Sequence, residues 1–368
     1  MRNMRVLFVT GTLSHGGAQR VISVVANQLA AFGHEVSRIV FRRYENEYPI
    51  DGRVKLLSIA SSQEEYDRIS GLKRVMMLRK LIKEVRPDVA VGFLEGGYGM
   101  YVSSFGLGFK KIASARVNPV YLLDEGGSRG LLNRIWFRHA DAVVMQTEGQ
   151  IRLLPENSGW KNCKVIANPV SESALAVPGH DYSRPFSRII MAGRLDDQKD
   201  YPMAIRAMRT VHESHPDLVL DIYGEGEDRA LIEKEIKDCH LEGTVNLKGW
   251  SQIILDEYAA SDLYVMSSKY EGMPNSLMEA MACGLVCIST DCETGPSDLI
   301  TDGKNGFLIP VGDSTALAES IISGAGMSQE RRSEIGNAAR SLMQDEFSSE
   351  KIGRRWEALL EGLLEKDR

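Results

Sequence analysis

The chain has 368 residues, 43% of them hydrophobic, and a formal net charge of −6. That length exceeds one ordinary core and points to two domains, while the acidic balance argues against a general nucleic-acid binder. Five cysteines (Cys163, Cys239, Cys283, Cys287 and Cys292) form no Cys-x-x-Cys pair, which reads as reduced thiols in a cytoplasmic protein.

The apolar run near the N-terminus is only Val6 to Val9, too short for a signal peptide. No stretch approaches the roughly 18 apolar residues needed to cross a bilayer. Residues 5–10 read as a buried parallel strand. A glycine loop follows, Gly11-Thr-Leu-Ser-His-Gly16-Gly17, then a helix over 18–32 and a strand over 35–41. The alternation continues with helices near 72–85, 98–107 and 131–138 and strands at 88–93, 111–115 and 142–146. It breaks at 168–187, which holds three prolines and no periodicity and is the best linker. It restarts with strands at 188–193, 219–223, 245–247, 263–267, 286–289 and 306–309. The last helix, about 349–364, is amphipathic through Ile352, Trp356, Leu359, Leu360 and Leu363, and is expected to brace both halves.

Strands alternating with helices mean doubly wound parallel sheets, here two Rossmann-like α/β domains. The expected division is 1–170, 171–347 and the helix 348–368. In such sheets ligands sit at the carboxyl ends of the strands, so two facing domains would open their glycine loops into one cleft. Gly16-Gly17 allows close backbone approach to a ligand, with a tight turn as the alternative reading. The Gly-x-Gly-x-x-Gly dinucleotide fingerprint is not met, which argues against a dehydrogenase.

The sharpest signal is Glu271-Gly-Met-Pro-Asn-Ser-Leu-Met-Glu279, two carboxylates separated by seven residues. Pro274 suits the first turn of a helix. Glu271 then lies in the loop before it and Glu279 more than a turn inside. The N–H groups of Asn275, Ser276 and Leu277 point out of the helix start, a ready anion site. A phosphate cradle flanked by two hydroxyl acceptors suits a nucleotide-sugar. On spacing alone, an ordinary helix with surface glutamates fits as well. Gly193-Arg194-Leu-Asp-Asp-Gln-Lys199 follows the first strand of the second half. Arg194 offers a fork and Lys199 a point charge to phosphate oxygens; a solvated basic loop balanced by Asp196 and Asp197 is the plainer alternative. No Asp-x-Asp motif offers to hold a divalent ion, so leaving-group stabilisation is assigned to side chains and the helix terminus.

Together these segments resemble the retaining GT-B glycosyltransferases of family four. The matching pieces are Gly193-Arg194…Lys199, Tyr223-Gly-Glu-Gly226, Ser267 to Gly284 around the two glutamates, Gly303-Lys-Asn-Gly306 and, in the first half, Gly16-Gly17-Ala-Gln-Arg20. The resemblance implies that Arg194 and Lys199 bind the donor diphosphate, Glu271 the donor-sugar hydroxyls and Glu279 the ribose. Asn275, Ser276 and Leu277 would give amides to phosphate, and Gly16 and Gly17 would close over the diphosphate. It implies transfer with retention, without a metal or other cofactor, from a nucleotide-sugar co-substrate that is expected to be a UDP-sugar. Many relatives carry a histidine near the donor sugar, and here Arg116, in Ser114-Ala-Arg116-Val-Asn118-Pro119, takes that place, as Arg-x-x-Pro-type sequences do in some relatives. Arginine cannot act as a base, so its role would be electrostatic or acceptor-binding. His139 and His15 read as structural.

Residues 68–86 carry seven basic residues and one acid, with an apolar stripe through Leu72, Val75, Met76, Leu78, Leu81, Ile82 and Val85. Such a helix suits an anionic membrane surface or a phosphate-bearing ligand; a core-packing helix with a solvated basic face is the alternative. The chain looks most like bacterial transferases that extend sugars on polyprenyl-diphosphate carriers. A transferase of the same fold with a soluble acceptor, or an inactive nucleotide-sugar-binding protein, remain the competing expectations.

Overall fold

The computed structural model describes residues 3–365 apart from 15, 46, 94, 117 and 125. His15 and the end of the 348–368 segment thus lie outside the described residues. The chain divides into two units, Met1–Pro169 with Ser349–Arg368, and Val170–Ser348.

In the first unit, β1 (Arg5–Thr10), β2 (Glu35–Arg42), β3 (Lys55–Ala60), β4 (Val89–Phe93), β5 (Lys110–Ser114), β6 (Ala142–Met145) and β7 (Cys163–Val165) form a parallel sheet. Among the described residues its order is β3-β2-β1-β4-β5-β6-β7. Val6, Leu7, Phe8 and Val9 are all fully buried, because helices cover both faces and each residue meets one of them. Leu7 and Val9 pack with Ile39, Leu78, Ile82, Met100 and Trp136, which come from β2 and the helices Gly71–Val85, Glu95–Ser103 and Gly127–His139.

On the opposite face the rings of Phe8, Phe93 and Trp356 follow one another at centroid distances of 6.2 Å. Trp356 belongs to the helix Ser349–Glu365, which therefore completes the core of the first unit. That helix lies against the helix Gly17–Ala31, and Gly353 sets the approach: a Cβ there would fall 2.9 Å from Gln28 Cγ and 3.0 Å from Phe32 Cε2. Beside this contact His34 Nε2 lies 3.0 Å from Glu357 Oε1, and Arg354 donates to Glu357 Oε2 at 2.8 Å. Both members of the His34–Glu357 pair are buried.

In the second unit, β8 (Arg188–Ala192), β9 (Val219–Tyr223), β10 (Val245–Gly249), β11 (Leu263–Met266), β12 (Val286–Thr290) and β13 (Phe307–Ile309) pair in parallel. The order is β10-β9-β8-β11-β12-β13. The direction of winding reverses between β1 and β4 in the first sheet and between β8 and β11 in the second. In doubly wound sheets that reversal opens a crevice at the carboxyl ends of the strands.

Two strands were not expected from the sequence. β3 begins at an exposed lysine and β7 has only three residues, and both lie at sheet edges where a continuous apolar run is not needed. The proline-rich stretch after residue 168 also contains a short helix, Glu172–Ala176, started by the Ser171 hydroxyl accepting from Ala174 N–H at 3.2 Å.

The Glu357 cluster makes a testable statement about acid stability. Burial alone pushes this carboxyl upward, but hydrogen bonds from Arg354 and His34, with their charges, outweigh it and hold it below the usual carboxylate range. A depressed folded value stabilises above the unfolded value of about 4.3 and is lost as pH falls through the folded one. Glu357→Gln should cost about 1–3 kcal/mol at pH 7. The difference from wild type should shrink below about pH 4.3, read as amide-exchange protection across Ser349–Glu365.

Candidate active site

Of the residues singled out in the second half, Lys199 and Glu271 meet at the β8/β11 reversal. β8 ends at Ala192 and its hydrogen-bonding continues into the loop: Gly193 N–H donates to Tyr223 O at 3.0 Å and Leu195 N–H to Glu225 O at 3.1 Å. This is why Tyr223 is followed by glycine. Gly224 has φ 142°, and a Cβ there would sit 1.8 Å from Gly193 O. The fully buried Leu195 anchors the loop in the core. The chain then makes a single 3-10 turn, Asp197–Lys199, and enters the helix Tyr201–Ser214.

Lys199 is brought to the end of β11 by backbone contacts. Ser267 Oγ donates to Lys199 O at 2.6 Å, Lys269 N–H to Gln198 O at 2.8 Å and Gln198 Nε2 to Tyr270 O at 2.8 Å. These bonds stitch the 193–200 loop to the 267–274 loop. The result is an ion pair: Lys199 Nζ lies 2.5 Å from Glu271 Oε1, both side chains largely buried. Ser268 Oγ donates to the same oxygen at 2.8 Å. Among the described residues both of these bonds fall on Oε1 and not on Oε2. The Glu271 carbonyl accepts from the Thr294 hydroxyl, and Ser268 O accepts from Thr290 Oγ1 at 2.6 Å. The backbones of Glu271 and Ser268 are each therefore held by a threonine hydroxyl.

The helix after the loop is Asn275–Ala282. Pro274 is not in its first turn but caps it, with φ −77° and a non-helical ψ of 108°. Its carbonyl accepts the first helical bond, from Met278 N–H at 3.2 Å. The amides of Asn275, Ser276 and Leu277 thus belong to the first turn, which carries the positive end of the helix dipole. Tyr264 OH donates to Ser276 Oγ at 2.9 Å and Leu277 is fully buried, so the helix start is rigidly seated. Glu279 is the fifth helical residue and is buried. Arg194 differs from the others: its side chain is 74% exposed, 3.1 Å from Asp196 Oδ2, and stands at the rim.

Burial raises the phenols of Tyr201 and Tyr264 and pushes the Cys292 thiol, which also faces Glu271, up to about 12. These groups are neutral near pH 7. The charged groups that converge are Lys199 and Glu271, with Arg194 on the same 193–200 loop. Such a set places cations and helix amides against an anion, with a carboxylate oxygen nearby for hydroxyl groups.

The first-half candidates lie in the other unit. Gly16 and Gly17 are exposed at the start of the helix Gly17–Ala31. Arg116 is buried and fixed: Nε donates to Ser114 Oγ at 2.8 Å and Nη1 to Asn168 Oδ1 at 2.9 Å, with the guanidinium 4.7 Å from the centroid of the Phe93 ring. Asn168 Oδ1 also accepts from Gln146 Nε2 at 2.9 Å. No carboxylate is among these partners, and burial lowers the Arg116 guanidinium to about 9. Sequence reasoning missed Ser267, Ser268, Gln198 and Thr294 as supports, since none carries a pattern of its own.

The Lys199–Glu271 pair is testable by a double-mutant cycle. Lys199→Met leaves Glu271 buried without its cation and should lower unfolding stability by about 3 kcal/mol. Lys199→Met combined with Glu271→Leu should cost less than that single change, a coupling visible in denaturant melts followed at the second unit.

Residues 185–342 match the family model described as glycosyl transferases group 1. Over 360 residues the chain is 26% identical to the amylovoran biosynthesis glycosyltransferase AmsD of Erwinia amylovora, covering 96% of this chain and 99% of that protein. It is 27% identical over 323 residues to a Campylobacter jejuni alpha-1,4-N-acetyl-D-galactosaminyltransferase whose name specifies an undecaprenol-PP-linked glycan, covering 86% and 88%. Among solved structures, sucrose-phosphate synthase from Thermosynechococcus elongatus superposes with a TM-score of 0.82 at 17% identity, covering 98% of this chain and 99% of that one. Anabaena HepE in complex with UDP and glucose gives 0.79 at 17%, covering 98% and 100%. The segment 185–342 is thus a glycosyl transferases group 1 domain, and the chain is a glycosyltransferase with the two parallel-sheet units of the GT-B fold.

Proposed function

We propose that this chain is a retaining, metal-independent transferase that moves a hexose or N-acetylhexosamine from a UDP-sugar to a lipid-linked glycan precursor. The observation that carries the proposal is the meeting of Lys199, Glu271 and the start of the helix Asn275–Ala282 at the β8/β11 reversal. Lys199 and Arg194 face the donor diphosphate, together with the helix amides. Glu271 Oε2 accepts from donor-sugar hydroxyls, and Glu279 serves the ribose.

The chemistry follows from that division. The bond between the anomeric carbon and the diphosphate oxygen breaks, and the leaving UDP takes the electron pair. Lys199, Arg194 and the helix start stabilise the charge that develops there, a contribution of several kcal/mol for preorganised donors. The acceptor hydroxyl attacks the same face of the sugar, and its proton passes to the departing phosphate oxygen. No second carboxylate is needed as a nucleophile, in contrast to retaining hydrolases. UDP as the nucleotide is supported by its presence in the HepE complex, and the lipid-linked acceptor by the name of the Campylobacter relative.

The test is transfer from a panel of UDP-sugars to a polyprenyl-diphosphate-linked glycan, followed by product mass. Wild type should transfer in the presence of a chelator. Glu271→Ala should lose on the order of 10²–10³-fold in turnover while keeping its fold. Near wild-type turnover in Glu271→Ala, or abolition by the chelator, would overturn the proposal.

A further inference from the structure

The helix Gly71–Val85 buries Leu78 and Ile82 against the first sheet, yet leaves two large apolar residues in water. Leu72 is 74% exposed and Met76 63%. With Lys80 and Lys83 they follow one stripe at positions i, i+4, i+8 and i+11, the outer face of the helix. Lys73 stands beside Leu72 and is also exposed. Phe105, just past the helix Glu95–Ser103, is 83% exposed. It is held beside the same stripe, since Arg79 Nη1 donates to Phe105 O at 2.8 Å and to Ser103 O at 3.0 Å. The sequence pattern did not reveal Phe105, which lies outside the basic segment.

The structure also sorts the basic residues. Arg74 donates to Tyr66 O at 2.7 Å and lies 3.9 Å over the Tyr66 ring, Arg79 caps the neighbouring helix, and Arg68 pairs with Glu64. These arginines hold the surface together. Lys73, Lys80 and Lys83 extend from it.

We infer that Leu72, Met76 and Phe105, ringed by Lys73, Lys80 and Lys83, form a docking surface for an anionic lipid bilayer. Three apolar tips on adjacent elements cost water contact that a monomer would otherwise bury. Lysines around apolar tips match the layering of a bilayer surface: tips enter the boundary of headgroup and chain while ammonium groups stay with lipid phosphates. Charge favours a lipid occupant over a second copy, because a chain of net charge −6 concentrates seven basic residues and one acid in 68–86. This surface deepens the lipid-linked reading, since an acceptor anchored in a bilayer requires the enzyme at the interface.

The test is co-sedimentation of the full chain with vesicles of phosphatidylcholine alone or mixed with phosphatidylglycerol, without donor or acceptor. Wild type should partition onto the anionic vesicles and stay in solution with the neutral ones. Changing Lys73, Lys80 and Lys83 together to Gln should weaken partitioning on the order of 100-fold, about fivefold for each lysine. Changing Leu72, Met76 and Phe105 together to Ser should weaken it at least about tenfold and make the remainder fully salt-sensitive. All six residues are exposed, so thermal melts of both variants should match wild type. Wild type left in solution with anionic vesicles would overturn the inference, as would unchanged partitioning of either variant. A solution dimer that Phe105→Ser dissociates, with no vesicle binding, would do so too and assign the surface to a second copy. Because no sugar donor is present, failure here is separate from failure of the transfer chemistry, which the Glu271→Ala assay reads.

Discussion

The second unit is organised around one buried contact, Lys199 Nζ against Glu271 Oε1 at 2.5 Å. Two charges are expensive to take out of water, and a buried ion pair is seldom the most stable choice for its volume. Its value here lies in position. β8 and β11 are neighbours at the reversal of the sheet, so the loops that follow them converge. Gly224 lets the β9 loop press on Gly193 from one side, and the 267–274 loop supports Lys199 from the other. The pair keeps each charge compensated. In the proposed complex the donor's phosphates would approach Lys199 while its hydroxyls reach Glu271 Oε2, the oxygen that Lys199 and Ser268 do not occupy.

The first unit solves a different problem. Its sheet is closed on one face by the returning C-terminal helix, whose Trp356 joins the Phe8–Phe93 row. Buried charge in this unit is handled without a ligand-like partner. His34, Glu357 and Arg354 satisfy one another, and Arg116 is held by neutral groups and an aromatic face. Fixed in this way, the Arg116 guanidinium is held just past the carboxyl end of β5.

Much of this was readable in the sequence, for reasons specific to each element. β1, β4 and β8 are central strands covered on both faces, so their runs of Val, Ile, Leu and Phe announce them. Glu271 and Glu279 were legible because Gly272 and Pro274 mark where the loop becomes a helix. Pro274 was misplaced by one position, because its φ of −77° suits both the cap and the first turn and only ψ separates them. β3 and β7 escaped because edge strands need neither length nor continuous apolarity. The partnership of Lys199 with Glu271 spans 72 positions, so no local pattern encodes it. Ser268 and Thr294 are ordinary loop residues until the fold puts a carboxylate beside one and a carbonyl beside the other. Phe105 is distinguished by exposure alone, which follows from where a helix ends and an arginine caps it.

The most direct measurement is calorimetric titration of UDP and of the matching UDP-sugar into wild type, Lys199→Met and Glu271→Gln. Lys199→Met should weaken both ligands by a similar factor, about 10–100-fold for a lost charged hydrogen bond to phosphate. Glu271→Gln should leave UDP nearly unchanged and weaken the UDP-sugar toward the affinity of UDP. Unchanged UDP affinity in Lys199→Met would contradict the assignment of phosphate to that lysine, and with it the donor site proposed around the Lys199–Glu271 pair.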